Sequence, residues 1–416
     1  MSLDRDQVRG YIEEAARNLR EAIKKDLEGK FLYLKFDGCT RLQVNYLGLN
    51  ARYVGSNGEP VTKVLAVVDT MSRHTGKETK DIICKILVEY SIPLDKVVCC
   101  VTDNAANMLK TVELINKEVV LADEEGEDED DKEDDVDESQ LDLEVTVPPS
   151  VDHMRCAVHT LQLAVRDGIR ETAKPILTKL RAVAKEARSP KINEQLKRRM
   201  GLVAILDQET RWGSSYLMVD RIIELRPCLQ DMADTGNKIL SMTDSEWEES
   251  IALRDILKKA FIITKALQFE DLTLGYFYKK WSGLRVYYQE HDSNLANSIA
   301  KSMEKREKDL LENGILLAAV LVDINHMDLL PERYVEIGKQ SLIQLVWRMK
   351  GMGEEDEASK DDNAMSTPDE TDSDPDIQLA RKKSKVNPIQ QNPFILDEFD
   401  EEELTLSPPP HIDDER

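Results

Sequence analysis

Two aspartates in this chain stand where a folded sheet can bring acids together. Asp37 closes the apolar run FLYLKFD, and Asp103 follows the apolar run KVVCCVT. Open α/β sheets hold their ligands at the carboxyl ends of strands. Paired carboxylates there can bind a divalent cation, because Mg²⁺ prefers oxygen donors and keeps waters for chemistry on phosphates. Each residue also has a plainer use: Asp103 before NAANML suits a helix N-cap, and Asp37 in DGCT suits a turn.

A second group is His153, Cys156 and His159, spaced H-x2-C-x2-H ahead of the amphipathic run CAVHTLQLAV. With Cys99 and Cys100 they offer zinc ligands; alternatively they satisfy internal hydrogen bonds along a helix face. A third is ETRWGSSY (209–216), which puts Arg211 and Trp212 at a loop-to-helix junction, with Ser214 or Ser215 as a cap. Arginine can hold a phosphate and tryptophan can stack an unpaired base, or Trp212 simply anchors helix packing. Residues 179–199 carry eight Lys and Arg, a track for a DNA backbone or a solvated helix face. RKKSK (381–385) fits a nuclear import signal. There is no P-loop, dinucleotide fingerprint or G-x-S-x-G elbow, which removes the simplest ATPase, dehydrogenase and esterase readings.

The elements that must position these groups follow from periodicity. Val8, Tyr11, Ile12, Ala15, Leu19 and Ile23 predict a helix over about 6–28. Strand-like runs cover 31–37, 46–54 and 61–68, with Asn57-Gly58 as a hairpin turn between the last two. A helix over 76–89, a fully apolar strand over 96–102 and a helix from Asn104 complete an α/β unit with a mixed sheet. If its first and fourth strands are parallel neighbours, Asp37 and Asp103 converge. From about Met154 to Lys350 the pattern is helical, roughly eight helices with breaks near Pro190, Gly201, Pro227, Gly236 and Pro331.

The 416 residues carry a net charge of −24, unevenly. Residues 123–144 hold 15 acids against one Lys, and residues 354–416 hold 20 acids against six bases. The remainder has 45 acids and 49 bases, so the acidity says nothing against nucleic-acid binding by the body. Both acidic stretches are too poor in large apolar residues to offset chain entropy, and they read as a disordered insert (122–150) and a disordered tail (350–416). The expected division is an N-terminal helix (1–28), an α/β core (29–170), a helical domain (171–349) and the tail. No run of 18 apolar residues predicts a membrane span, and the N-terminus lacks a secretory layout. Cys39, Cys84, Cys99, Cys100, Cys156 and Cys228 are scattered, as reduced intracellular thiols are.

FLYLKFDGCTR, NYLGLNARYV, the His74-Thr75-Gly76 step, VTDNAANMLK, CAVHTLQLAV, TRWGSSYLMVDRI and LLAAVLVDINHMDLLP occur in the order found in hAT-superfamily DNA transposases and their domesticated zinc finger BED domain-containing relatives. The resemblance runs from about residue 6 to 349. It implies an RNase H-like core with a helical insertion domain. It also implies that Asp37 and Asp103 match the first two metal-binding acids, and Cys156 and His159 the C-x2-H motif. Arg211 and Trp212 match the R-W motif associated with transposon ends. Active members hold two Mg²⁺ ions with three acids. Here the family's serine–glutamate–arginine motif is missing, Glu332 and Glu336 lie in surroundings that do not match it, and no zinc-finger array precedes residue 30. The acidic insert also lies close to the site. The expectation is a catalytically inactive nuclear protein, without cofactor, that binds DNA, protein partners or both, in an oligomeric state the sequence leaves open. The alternative is an active Mg²⁺-dependent transposase or nuclease fragment that cuts with Asp37 and Asp103.

Overall fold

The computed structural model describes residues 4–70, 75–124, 151–208, 211–269 and 272–350. Helix α1 (Arg5–Leu27) begins with Gln7 accepting a hydrogen bond from the Asp4 amide at 3.2 Å. Its apolar stripe is real but largely exposed at Val8, Tyr11, Ile12 and Leu19; Ile23 and Leu27 in its last turns are buried.

Five strands then form one mixed sheet of order β3-β2-β1-β4-β5. They are β1 (Leu32–Arg41), β2 (Val44–Val54), β3 (Pro60–Asp69), β4 (Val97–Thr102) and β5 (Asp152–Arg155). Helices α2 (Gly76–Glu89) and α3 (Ala106–Glu124) fall between β3 and β5. The first three strands pair antiparallel, and β4 runs parallel to both β1 and β5. In β1, buried Leu32, Leu34 and Phe36 alternate with exposed Tyr33, Lys35 and Asp37, the two-residue period of a strand with one face on a core. In β4, Val97, Val98, Cys99 and Cys100 are all buried, as a strand covered on both faces requires.

Two features depart from the sequence-based expectation. First, β1 does not end at Asp37 but continues to Arg41 and turns into β2 through Leu42 (φ 50) and Gln43 (φ 65). Two central residues at positive φ make a primed turn, whose usual signal is Asn-Gly. Leu-Gln gives no such signal, so the hairpin is invisible to residue type. Second, β5 occupies residues expected to lie just before or at the start of the helices. Only four residues long, it has no room for a legible alternation. Asn116 on α3 fixes its approach, donating to the Val151 carbonyl (3.0 Å) and accepting from the Val151 amide (2.6 Å).

The helical half contains ten α-helices among the described residues rather than about eight. They are α4 (Ala157–Gly168), α5 (Lys174–Ala187), α6 (Pro190–Met200), α7 (Trp212–Glu224) and α8 (Arg226–Asp234), followed by α9 (Asp244–Ala266), α10 (Leu274–Glu290), α11 (Asn294–Leu311), α12 (Gly314–Val322) and α13 (Glu332–Lys350). Helix α4 passes into α5 through a π-turn at Ile169–Ala173. Pro175, just inside α5, explains it. Proline has no amide to donate and its ring collides with the carbonyl four residues back, so the preceding turn widens.

One buried cluster lies under the sheet with α1, α2 and α3, and the other runs through the helices and takes in Val98, Cys99 and Met154 from the sheet. The fold is thus a mixed α/β unit joined through its last two strands to a helical region. The acidic insert and tail fall outside the described residues, except that residues 122–124 belong to α3 and Lys350 to α13. His74 and RKKSK also lie outside them.

Candidate functional site

Parallel pairing of three strands sets the geometry of the site. In the β1–β4 register Lys35 faces Val101, and in the β4–β5 register Thr102 faces Arg155. Asp37 and Asp103 each lie two residues beyond the first pair, and Asp103 and Cys156 each one residue beyond the second. The three therefore sit side by side at one rim of the sheet. Asp37 reaches that rim from mid-strand, opposite Gly48 of β2, and not from a strand end.

Each rim residue is held by local bonds. Asp103 accepts from the Ala105 amide at 3.0 Å through Oδ1, a turn just ahead of α3 in which Ala105, and not Asp103 as its sequence suggests, holds the N-cap position. Thr102 Oγ1 donates to the Asp103 carbonyl (2.8 Å) and lies 2.8 Å from His153 Nε2. The Cys156 amide donates to the Thr102 carbonyl (2.7 Å), which fixes the start of α4 against the end of β4. His159, Gln162 and Arg166 then follow at helical spacing along one face of α4.

A cleft of about 830 Å³ opens over this rim, and all six residues singled out from the sequence line it: Asp37, Asp103, Cys156, His159, Arg211 and Trp212. Its other walls are α7 and the end of α9, with Phe261, Thr264 and Lys265. Among the described residues, Asp37 and Asp103 are the acids of the lining, and Lys35, Arg166, Arg211 and Lys265 are its cations. None of those four cations is paired with an acid among the described residues, although Lys265 lies 4.9 Å from the centre of the Phe261 ring. The amino-terminal ends of α4 and α7 add their partial positive charge to the same space. Sequence reasoning missed Lys35, Arg166 and Lys265, single cations in separate segments with nothing local to mark them.

Arg211 is the exposed N-cap position of α7. Trp212, next to it, is 3% exposed and meets Phe261 edge-on at 6.4 Å between ring centres. Its ring anchors α7 on α9 and does not offer a free face for base stacking. The serines do not cap α7 in the expected way either. Ser214 Oγ donates to the Arg211 carbonyl (2.6 Å) and accepts from the Gln208 amide (2.8 Å), and Ser215 Oγ donates to Asp207 (2.6 Å). Asp207, whose side chain is 1% exposed, is also clasped by two nitrogens of Arg181 at 2.8–3.1 Å. Burial opposes its ionisation, yet the bonds from Arg181 and Ser215 outweigh burial and hold the carboxyl below its ordinary range.

The zinc reading is not carried by the geometry. Among the described residues no three His, Cys, Asp or Glu side chains gather as a metal-binding group. Burial pushes the Cys100 thiol up to about 12 and the Cys99 thiol well above its usual value, whereas zinc requires thiolates. His153, depressed by burial and by nearby Arg155, is engaged with Thr102. The donor set does not fit a three-acid, two-metal centre either: Asp37 and Asp103 are two carboxylates, one already bonded to an amide. Glu332 and Glu336 are exposed on α13 and are not part of the cleft lining; Glu336 pairs with Lys339.

Residues 39–127 match the ZBED1 RNase-like domain, and residues 154–255 match the ZBED1 RNase-like helical domain. The first match contains Asp103 and begins two residues after Asp37; the second contains Cys156, His159, Arg211 and Trp212. A maize (Zea mays) protein described as "Putative AC transposase" is 23% identical over 331 residues, covering 75% of this chain and 38% of that protein. A Talaromyces stipitatus protein described as "Putative transcriptional regulator tpeD" is 22% identical over 346 residues, again 75% of this chain and 38% of that protein. The chain thus spans well under half the length of the curated relatives it matches.

Proposed function

We propose that this chain, a hAT-like, ZBED1-type transposase-derived protein, binds duplex DNA in its RNase-like cleft without cutting it and acts in the nucleus, alone or with protein partners. The observation that carries the reading is the composition of the cleft. Four cations with no acidic partner among the described residues face two acids that lie level on adjacent strands. Such a surface attracts a phosphate backbone through counterion release. Two carboxylates with no third acid beside them among the described residues lack the charge needed to hold the metal pair that activates water and stabilises the leaving oxygen. A regulatory relative and the RKKSK segment are in keeping with a nuclear, gene-regulating role.

The test combines binding and cleavage. Affinity for labelled duplex DNA is expected to fall steeply with salt, and Lys35→Gln with Arg211→Gln to reduce the slope of log affinity against log salt by about two. Incubation with Mg²⁺ or Mn²⁺ is expected to leave strands intact. Strand cleavage abolished by Asp37→Asn would establish the cutting alternative. No binding even at low ionic strength would leave a protein-interaction scaffold.

A further inference from the structure

The cleft over the sheet has a neighbour. A second cleft of about 490 Å³ is lined by Arg166, Ile169, Arg170, Lys174, Leu177, Arg181, Trp212 and Ser215. Arg166 and Trp212 line both, so the two spaces adjoin along α4 and the start of α7. Arg181 is committed to Asp207, but Arg166, Arg170 and Lys174 have no acidic partner among the described residues.

The same segment carries acids, and the fold turns them away. Asp167 accepts from Arg306 (2.8 Å) and from Ser302 (2.9 Å), and Glu171 accepts from Ser298; all three partners lie on α11. Gly168 makes that contact close, because a Cβ there would stand 2.5 Å from the Ile299 side chain and 3.1 Å from its amide. One side of the segment is thus neutralised against α11 and the other is purely cationic. The π-turn helps to keep it so. In a regular helix each step of four residues rotates by about 40°, so three cations so spaced drift round the axis. A wider turn between Arg170 and Lys174 takes up part of that drift.

We infer that the groove along Arg166, Arg170 and Lys174 is a second docking site for the phosphate backbone of duplex DNA, continuous with the acid-bearing cleft through Arg166 and Trp212. This rests on the reading of that cleft as a DNA site and extends the footprint onto the helical domain. The contact is to backbone phosphates, so it adds affinity uniformly across sequences and fixes orientation, not base preference.

The full chain is titrated with two labelled duplexes at several salt concentrations. One is long enough to cross both clefts and one short enough to occupy the first alone. In Arg170→Gln/Lys174→Gln, the salt slope for the long duplex is expected to fall by about two and affinity to weaken several-fold, with the short duplex unaffected. Arg170→Lys/Lys174→Arg is expected to restore the slope. Both positions are exposed, so an unchanged melting midpoint accompanies the loss. An unchanged slope on the long duplex, while Lys35→Gln/Arg211→Gln still weakens both duplexes, overturns the second site and leaves the first standing. Equal losses on both duplexes also overturn it, because a general field and not a second contact would then be at work. A wild-type chain that binds neither duplex removes both readings.

Discussion

Two neighbouring stretches of the helical half, 166–174 and 179–199, differ in how their cations are spent. The second carries eight Lys and Arg: Arg181 is locked on buried Asp207, Arg198 pairs with Glu194 and Arg199 with Asp231, while Lys179, Lys185, Arg188, Lys191 and Lys197 form no ion pair among the described residues. The first carries three, and none is paired among the described residues, because Asp167 and Glu171 are consumed on the far side by α11. The field a segment projects therefore depends on where packing sends its acids as well as on how many basic residues it holds. Arg166, Arg170 and Lys174 should matter for binding and hardly for stability; Arg181, and the groups that pack between the two stretches, should do the reverse.

The largest effect expected is at the wall the clefts share. Trp212→Ala should cost about 3–5 kcal/mol in urea unfolding, with Trp212→Phe much milder. Full stability with lost DNA affinity would instead make the ring a stacking surface and break the comparison. Next comes Arg181→Ala, which strands a buried carboxylate and should cost roughly 3 kcal/mol, whereas Arg170→Gln should stay within about 0.5 kcal/mol. The Arg181 effect has a pH signature. The Asp207 carboxyl is depressed in the folded state from its ordinary 3.8. Its contribution is then fully present above that value and lost as pH falls below it toward the folded value. The stability gap between wild type and Arg181→Ala should therefore be flat near neutrality and close in acid. A gap unchanged at pH 3 would assign the loss to packing by the arginine stem.

Smaller again is Gly168→Ala, which forces α4 from α11 and should cost about 1–3 kcal/mol, since the near atoms include the Ile299 backbone. If the charge segregation depends on that close approach, the variant should also lose salt slope on long duplexes. The smallest effect expected is a gain. Replacing Leu42 with Asn and Gln43 with Gly should stabilise the β1–β2 turn by about 1 kcal/mol, read as a higher melting midpoint, without altering DNA affinity.

Much of the site is legible along the chain because its parts end apolar runs. Asp103 follows six strand residues, Cys156 precedes an amphipathic helix, and Arg211 and Trp212 open another. Local pattern is strong where one element supplies both the apolar face and the functional residue. It fails where the deciding partner is remote. The β1–β2 turn uses Leu-Gln at positive φ, which hydrogen bonding along the hairpin enforces against residue preference. The exposed stripe on α1 has the spacing of a buried face, and spacing alone does not reveal that most of the helix finds no neighbour among the described residues.

Periodicity and end signals in the sequence, being local, suffice for the first four strands, the mixed sheet with its helical continuation, and the residue types of the six that meet in the cleft. Tertiary structure alone decided three things. It set the parallel registers that bring Asp37, Asp103 and Cys156 level, it buried Trp212 under Phe261, and it separated the free cations from the neutralised ones. Each depends on which distant atoms share a low-dielectric or water-filled space. Coulomb and burial energies follow those distances and not separation along the chain.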